Sequence, residues 1–252
     1  MTPFRPAAGA IIEGVAIEDF EWTDADLSEA RFVDSIIEDA QFSNTILEGA
    51  RFTRCRIVRA RFAHADLREA VFEDCAFVDA GEHVGAAFAF SQLDHARFVR
   101  CDLSFGRFDR SSLYDVAMED CNLRGAVFQR ADFARNFGRN VVRASARFLR
   151  CNFHLADLSE ARLPGCDFSG SHFREADMSG ADLEGAIFVG GDLFGAIFAG
   201  AKLAGADLRG AEVSGLDITQ LASHLGLKID ADQQYPLLTA LGVDVAVKRE
   251  AP

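Results

Sequence analysis

Six cysteines and six histidines are the residues of this chain that could bind a metal or take part in catalysis. Thiolates and imidazoles bind zinc when four of them converge, commonly from CxxC pairs, and cysteines also form disulfides. No CxxC spacing occurs in the sequence. The histidines are scattered, and no Ser-His-Asp arrangement, glycine-rich phosphate loop or paired-carboxylate site can be recognised around them. The sequence therefore predicts no catalytic residue, no metal site and no cofactor.

The segments that would position any functional group follow a five-residue period. A large apolar residue, called here a centre, occurs at every fifth position over residues 12–77, 88–133 and 148–218, and the residue two places before it is usually small. An α-helix repeats about every 3.6 residues and a strand every two, so neither explains the spacing. A fixed short repeat indicates a solenoid, in which each unit stacks on the next and function lies on the outer surface.

This repeat resembles that of the pentapeptide repeat family, whose motif is A(D/N)LXX. Clear copies are residues 25–29 (ADLSE) and 181–185 (ADLEG). The resemblance implies an all-β fold, a right-handed quadrilateral parallel β-helix with four repeats, hence about 20 residues, in each coil. The centre and the small residue would point inward and the other three residues outward. Residues 10–218 would form about ten coils stacked about 4.8 Å apart, preceded by an N-terminal extension at 1–9.

The same register gives the cysteines a structural explanation. All six occupy the small inward position, where a free cysteine behaves as a small buried hydrophobe. The aspartates that precede many centres are typical exposed residues of the motif, so we do not expect them to be catalytic. We expect the thiols to be reduced, inward-facing and free of metal. The six are Cys55, Cys75, Cys101, Cys121, Cys151 and Cys166.

The register also predicts columns of charge on the outer surface, because equivalent residues of successive coils would lie one above the other. Opposite charges that are directly opposed would each contribute about 0.2–1 kcal/mol to stability. The predicted columns are Asp34-Arg54-Asp74, Asp39-Arg59-Asp79 and Arg162-Asp182-Lys202.

The net charge limits the possible partners. It is −13 at pH 7, whereas direct binding of nucleic acid requires a basic surface. An acidic rod suits a protein whose own binding groove is basic, although any solenoid needs charged residues for solubility. The first nine residues hold no signal-peptide pattern, and no apolar run of about 18 residues occurs. We therefore expect a soluble, cytoplasmic protein that does not bind membranes.

Two interruptions of the period predict loops that project from the rod, near residues 79–85 and 134–145. Loops on a rigid scaffold commonly carry binding sites, and the second loop is basic, although either could be a tolerated surface insertion. The candidate contact residues are Gly81, Glu82, His83 and Val84 in the first loop, and Arg135, Asn136, Phe137, Arg139, Asn140 and Arg143 in the second.

The period is lost in residues 219–252. The sequence predicts a short helix at 219–226, a second helix at 232–241 and a strand at 243–247. The apolar residues of this tail exceed what a small cap needs, so they would cover the end of the solenoid in a monomer or form a two-fold dimer interface. We predict a dimer with contacts from Leu221, Leu225, Tyr235, Leu237, Leu238, Leu241 and Val243.

These features narrow the resemblance to the Qnr-type branch of the family, which protects topoisomerases. The matching features are the acidic rod, two loops about three coils apart, and a tail of the form QQ…LL…LGV at residues 233–243. The resemblance implies a homodimer that binds DNA gyrase or topoisomerase IV, imitates DNA and protects the enzyme from quinolones or natural poisons. The alternatives are a structural or interaction scaffold of unknown partner, and a self-immunity protein of an antibiotic producer.

Overall fold

The computed structural model of the protein describes residues 6–18, 21–79, 81–138 and 142–245. Short strands dominate these residues, and two 3-10 turns (Ile218–Gln220 and Ala231–Gln233) and helix α1 (Gln234–Ala240) follow near the C-terminus. The strands are β1 (Ile11–Glu13), β2 (Ala16–Glu18), β3 (Arg31–Val33), β4 (Ile36–Glu38), β5 (Arg51–Thr53), β6 (Arg56–Val58), β7 (Val71–Glu73), β8 (Val78–Asp79), β9 (Val84–Gly85), β10 (Arg97–Val99), β11 (Val116–Glu119), β12 (Ala134–Asn136), β13 (Val142–Ala144) and β14 (Ala146–Leu149).

The strands stack in register into a quadrilateral parallel β-solenoid. Among the described strands, seven form one parallel sheet in the order β1-β3-β5-β7-β10-β11-β14, and β2, β4 and β6 form another. Isolated parallel bridges continue the first ladder toward the C-terminus, through Asp167 and Ile187 to Asp207. Ile12 pairs with Phe32, which sets one coil at 20 residues. The all-β parallel solenoid that the resemblance to the pentapeptide repeat family implies is confirmed.

Each coil has four faces, which we number by the order of their centres along the chain. Face 1 begins with Ile12, face 2 with Ile17, face 3 with Trp22 and face 4 with Leu27, and the order then repeats. The side chains of these four centres are at most 5% exposed, and the later centres fill the bore in the same way. The outward positions on either side of each centre form the surface of the rod.

Phenylalanine centres form stacked columns along the bore. The ring centroids of Phe32 and Phe52 lie 4.5 Å apart, and those of Phe42 and Phe62 lie 4.6 Å apart with nearly parallel rings. These distances are close to the spacing of about 4.8 Å between paired strands, because equivalent residues of adjacent coils lie directly above one another. Burial of each phenyl ring contributes roughly 1.5–3 kcal/mol to stability.

The corners of the coils force an uncommon backbone conformation. The residue two places after a centre has a positive φ, for example 49° at Asp34 and 51° at Arg54. Residues other than glycine are strained there, and further along the chain the same corner is occupied by Gly170, with φ of 68°. The six coils before it place charged residues at this corner, and those residues form ion pairs.

Ion pairs between adjacent coils follow the corner after face 1. Asp34 pairs with Arg54, as predicted, whereas Asp74 pairs with Arg100 of the following coil instead of with Arg54. The pairs of this column are Arg54–Asp34 (2.6 Å), Arg100–Asp74 (2.6 Å) and Arg150–Asp120 (2.7 Å).

The two other predicted columns are formed to different extents. Arg59 pairs with Asp39 at 2.7 Å and also with Asp79, so this column is confirmed. Lys202 lies 3.7 Å from Asp182, and Arg162 joins Asp182 through a parallel backbone bridge. All three columns place equivalent residues of successive coils on the same corner or face.

We expect the corner column to make stability depend on pH in the acid range. The hydrogen bond from Arg100 lowers the pKa of Asp74 in the folded protein. Stabilisation by the pair is therefore complete above the unfolded pKa of about 3.9 and is lost as the pH falls through the lower, folded pKa. Arg100→Gln should lower Tm at pH 7, and thermal unfolding followed by circular dichroism should show the difference shrinking toward about pH 2. A difference that stays constant over this range would contradict the assignment.

The cysteines lie inside the solenoid, as predicted. All six are free and buried. The Cys75 Sγ–H donates to the carbonyl oxygen of Phe52 at 3.4 Å, and that of Cys101 donates to Phe72 at 3.4 Å, each reaching back to an adjacent coil. Burial raises the pKa of Cys166 to about 12, which keeps this thiol protonated.

We expect native protein to react slowly with a thiol reagent such as DTNB, and denatured protein to release six equivalents of product. The thiolate is the reactive form, and burial of all six thiols inside the solenoid keeps the reagent from reaching them. Rapid labelling of several cysteines in the native protein would show that the inward placement is wrong.

The first helix predicted for the tail, at 219–226, is replaced by further solenoid backbone. After the 3-10 turn, Ser223 bridges to Lys202 and Lys228 bridges to Asp207. The Leu203 N–H donates to the Ser223 carbonyl at 2.7 Å. The physical reason is that the last complete coil would otherwise expose an edge of unpaired backbone groups. The solenoid therefore continues beyond residue 218, the limit that the period predicts.

The rest of the tail agrees with the second predicted helix but gives no strand. The 3-10 turn at Ala231–Gln233 leads into α1, so the helical segment ends one residue before the predicted limit at 241. The predicted strand at 243–247 has no counterpart in residues 243–245, and residues 246 and 247 lie outside the described part of the chain.

Candidate functional site

Loop A, which we define as residues 78–85, is a short antiparallel hairpin of β8 and β9. The carboxylate of Asp79 accepts a bond from the Gly81 N–H at 3.0 Å and pairs with Arg59, which holds the start of the turn on the solenoid. All four candidate contact residues are exposed: Gly81, Glu82, His83 and Val84.

The second strand of loop A packs closely on the following coil. A Cβ atom at Gly85 would overlap the backbone of Phe105 and Gly106, so only glycine fits at this position. The His83 ring stacks on the Phe105 ring with 5.5 Å between centroids. Loop A is therefore supported by contacts at both of its ends.

Loop B, which we define as residues 134–144, is a second antiparallel hairpin, formed by β12 and β13. Arg135 lies directly opposite Arg143, and the Asp132 carboxylate accepts the Ala134 N–H at 2.9 Å at the start of the hairpin. Two of its candidate contact residues, Arg139 and Asn140, lie outside the described residues. The others are exposed: Arg135, Asn136, Phe137 and Arg143.

The two loops leave the solenoid at opposite corners. Loop A lies between the face 2 centre Phe77 and the face 3 centre Phe88, whereas loop B lies between the face 4 centre Phe133 and the face 1 centre Phe148. In a four-sided coil these two corners are diagonally opposed. A flat partner surface can therefore contact only one loop at a time, and a partner that contacts both must surround the rod.

Negative charge is concentrated on one side of the rod. Outside loop B, the described residues of face 4 and of the corner after it include ten carboxylates and three cationic side chains, whereas the positions directly before the face 1 centres carry four arginines over the N-terminal two-thirds of the rod. Loop B stands at the corner between these two faces. The carboxylates are Asp26, Glu29, Glu48, Asp66, Glu69, Asp94, Asp115, Asp132, Asp182 and Glu184, the cationic residues are Arg68, Arg162 and Lys202, and the arginines of face 1 are Arg31, Arg51, Arg97 and Arg147.

Local hydrogen bonds orient the carboxylates of face 4. Ser28 donates to Asp26 Oδ1 from its hydroxyl at 2.6 Å and from its N–H at 3.0 Å, and these bonds lower the pKa of Asp26. Arg68 lies 2.6 Å from Asp66 and 3.2 Å from Glu48. Because carboxylates outnumber cations, the face keeps a negative field that can attract a basic surface.

A buried polar side chain closes the C-terminal end of the solenoid. Gln233 is 5% exposed, and its Nε2 donates to the carbonyl oxygens of Leu208 at 2.7 Å and Ala211 at 2.6 Å. Its Oε1 accepts the Asp230 N–H at 2.7 Å. The side chain thus pairs carbonyl groups that no further coil can reach, and Leu237 packs over the same end.

The residues predicted to form a dimer interface differ in burial, and only some of them are exposed. Leu221 and Leu237 are buried, at 9% and 6% exposed, against the end of the solenoid. They act as a cap, which is the alternative that the sequence left open. Leu241 is half-buried. The exposed group, which a second copy can contact, consists of Leu225 (87%), Tyr235 (52%), Leu238 (37%) and Val243 (46%).

Two structural features are absent from residues 6–18, 21–79, 81–138 and 142–245. No helix among them is long and apolar enough to cross a membrane. No group of three or more histidine, cysteine, aspartate or glutamate side chains among them is arranged to hold a metal ion.

Several solved structures are similar to this chain over nearly its whole length. A trypsin-treated variant of QnrB1, a plasmid-mediated fluoroquinolone resistance protein, is 25% identical, covers 94% of this chain and 100% of its own, and gives a TM-score of 0.74. A second trypsin-treated variant of QnrB1 is 25% identical, with 95% and 100% coverage and a TM-score of 0.74. Full-length QnrB1 is 24% identical, with 93% and 100% coverage and a TM-score of 0.70.

Sequence comparison identifies the repeat directly. The profile of the family described as pentapeptide repeats matches residues 18–49, 35–74, 151–190 and 191–220, which together span half of the chain. A search of curated proteins finds no significant match. Pentapeptide repeat solenoids such as QnrB1 are structural or binding proteins, and the chain belongs to the pentapeptide repeat family, with a structure of the Qnr type.

Proposed function

We propose that this protein binds a type II topoisomerase, DNA gyrase or topoisomerase IV, and protects it from quinolones or from natural poisons of the same enzymes. The observation that carries the proposal is the likeness to the fluoroquinolone resistance protein QnrB1. This likeness extends over nearly the whole of both chains, whereas a few shared repeats would be expected of any member of the family.

The acidic side of the rod would supply the attraction between the two proteins. A protein that binds DNA presents a basic surface to about one phosphate charge per 1.7 Å of duplex. The net charge of −13, spread over about ten coils of about 4.8 Å, is roughly half as dense as that. The rod would therefore imitate DNA weakly, and the attraction would be screened by salt.

The two hairpins would decide whether binding leads to protection. Loop B stands at the edge of the acidic face 4, so a basic surface that approaches this face meets Arg135 and Phe137 at its border. Loop A, on the opposite corner, would contact a different region of the partner. The protein would act by binding alone, without catalysis and without a cofactor, and it would not bind DNA directly.

We further propose that the protein is a homodimer joined through the tail. Tyr235 and Leu238 of α1 are exposed beyond the capped end of the solenoid, so contact between two tails would place two rods end to end. The dimer would act in the cytoplasm, where bacterial topoisomerases encounter both DNA and drug.

Displacement of fluorescently labelled DNA from gyrase and from topoisomerase IV tests the binding step. The wild-type protein should displace the DNA, and its own direct binding to each enzyme should be tighter at 50 mM than at 300 mM salt. Lack of binding to either enzyme at low salt would contradict the proposal. It would favour the alternative that the protein is a scaffold for another partner, a role for which neither hairpin is needed. Protection against one natural toxin but not against quinolones would favour the self-immunity role.

A further inference from the structure

Tyr114 is an outward residue of face 4 that contacts loop B from outside the hairpin. Its ring centroid lies 5.8 Å from the guanidinium carbon of Arg135 and 5.6 Å from the ring centroid of Phe137, which meets it edge-on. The His95 ring packs against the same tyrosine at 5.7 Å, nearly perpendicular to it. Three side chains, two from the hairpin and one from the preceding coil, therefore meet at one tyrosine.

The base of loop B is fixed beside this cluster by hydrogen bonds. The Asp115 N–H donates to the Ser145 carbonyl at 2.7 Å, and the Ser145 hydroxyl donates to Asp115 Oδ1 at 2.8 Å. The Ser145 N–H donates to the Phe133 carbonyl at 3.1 Å, which closes the hairpin where it leaves the coil. These bonds hold the ends of loop B but do not reach the residues of its first strand.

The first strand of loop B needs support from outside the hairpin. An isolated two-stranded hairpin is marginally stable at best, and Arg135 faces the like charge of Arg143 across the pair, which is unfavourable. The ring of Tyr114 provides a cation–π contact to Arg135 and an edge-to-face contact to Phe137. Each of these contacts commonly contributes a small stabilisation. That contribution matters here because the stability of an isolated hairpin is itself marginal.

We propose that Tyr114 is the positioning residue of loop B: it holds Arg135 and Phe137 as a rigid aromatic-cationic anchor at the border of the acidic face. Phe137 remains 54% exposed in this arrangement, so one side of its ring rests near Tyr114 and much of its surface is free to enter a partner's pocket. Rigid aromatic and arginine side chains commonly dominate binding energy. The partner is the topoisomerase of the proposed function, on which this part of the inference rests.

The role of Tyr114 can be separated from the folding of the solenoid. The bore beside it is filled by Leu113, which is fully buried, and the Tyr114 backbone N–H donates to Asp94 Oδ1 at 3.0 Å whatever side chain it carries. A substitution at Tyr114 should therefore loosen loop B and leave Tm almost unchanged.

Tyr114→Ala and Tyr114→Phe test the inference, with Phe90→Ala as the matched control. Phe90 is 45% exposed and also has an arginine over its ring, Arg110 at 5.5 Å, but it lies away from loop B. Trypsin should cleave loop B of Tyr114→Ala about tenfold faster than in the wild type, because cleavage follows the opening of the hairpin. Tyr114→Phe retains the ring and should behave like the wild type, as should Phe90→Ala.

The same variants should differ in binding to gyrase. Tyr114→Ala should raise Kd about tenfold, the loss expected when an anchor is no longer held in place, while Tyr114→Phe and Phe90→Ala should not. Unchanged cleavage of Tyr114→Ala would overturn the positioning role whether or not gyrase is the partner. Faster cleavage with unchanged gyrase affinity would overturn the anchor role. Failure of the wild type to bind any topoisomerase would remove the proposed function and the anchor role with it, while the cleavage rates would still decide the positioning role.

Discussion

Replacing residues 135–143 by a short Gly-Ser linker is expected to abolish protection of the topoisomerase while the solenoid remains folded. The two ends of the replaced segment, in β12 and β13, leave the solenoid at the corner between faces 4 and 1, and the neighbouring centres Phe133 and Phe148, both fully buried, remain in place. The acidic face would still attract the enzyme weakly, so binding at low salt should persist while rescue from the poison is lost. Supercoiling activity in the presence of drug measures the rescue, and circular dichroism confirms the fold.

The linker also removes positive charge, which requires a control. The triple variant Arg61→Gln/Arg124→Gln/Arg130→Gln removes three exposed arginines from faces 2 and 3, away from the acidic face, and matches the charge lost with the three arginines of 135–143. This control should protect the enzyme as the wild type does. Full protection by the linker variant would show that loop B has no role and that the acidic rod alone is sufficient.

Substituting Tyr235→Asp and Leu238→Asp together is expected to convert a homodimer into a monomer. Both side chains are exposed on α1, and burial of their apolar surface against a second copy would stabilise association by about 25 cal/mol per Å² before the costs of association. Two buried carboxylates on each subunit would reverse this gain. Gln233 and Leu237, which cap the solenoid, are unchanged, so Tm should fall only by the amount that dimerisation contributes. Light scattering measures the mass.

A control with similar exposure is available elsewhere on the rod. Phe194 and Ile197 are 51% and 50% exposed, and Phe194→Asp/Ile197→Asp should leave the mass unchanged. A wild-type protein that is already monomeric at micromolar concentration would contradict the proposed dimer. Deletion of 219–252 is a less suitable test, because Ser223 and Lys228 complete the last coil.

The repeating part of the fold could be predicted from the sequence because the five-residue period, together with the four repeats per coil that the family resemblance implies, sets its geometry. Once Phe32 and Phe52 are placed as centres of adjacent coils, the residues between them have fixed inward or outward positions. The inward placement of Cys75 and the pairing of Arg54 with Asp34 follow from this register, and both are confirmed. The diagonal placement of the loops could also have been obtained by counting repeats in fours on either side of each loop.

The aperiodic parts depend on contacts that the sequence pattern does not contain. Gln233 caps the last coil because the carbonyl groups of Leu208 and Ala211 lie within hydrogen-bond reach of its side chain, and no five-residue motif marks it. The hairpin form of loop B and its packing on Tyr114 likewise follow from three-dimensional proximity across more than 20 residues. The one sequence feature that pointed to this contact is that Tyr114 is an aromatic residue at an outward position, in a surface otherwise rich in charged residues.

A DNA gyrase supercoiling assay with ciprofloxacin tests the central claim most directly. Gyrase, relaxed plasmid and drug are combined at a concentration of drug that stops supercoiling, and the protein is then added over a range of concentrations. The proposed function predicts that supercoiling returns and that cleaved plasmid decreases as the protein is added, with the linker variant of loop B inactive. No effect of the intact protein on supercoiling or cleavage by gyrase or topoisomerase IV, with quinolones or with natural poisons, would contradict it.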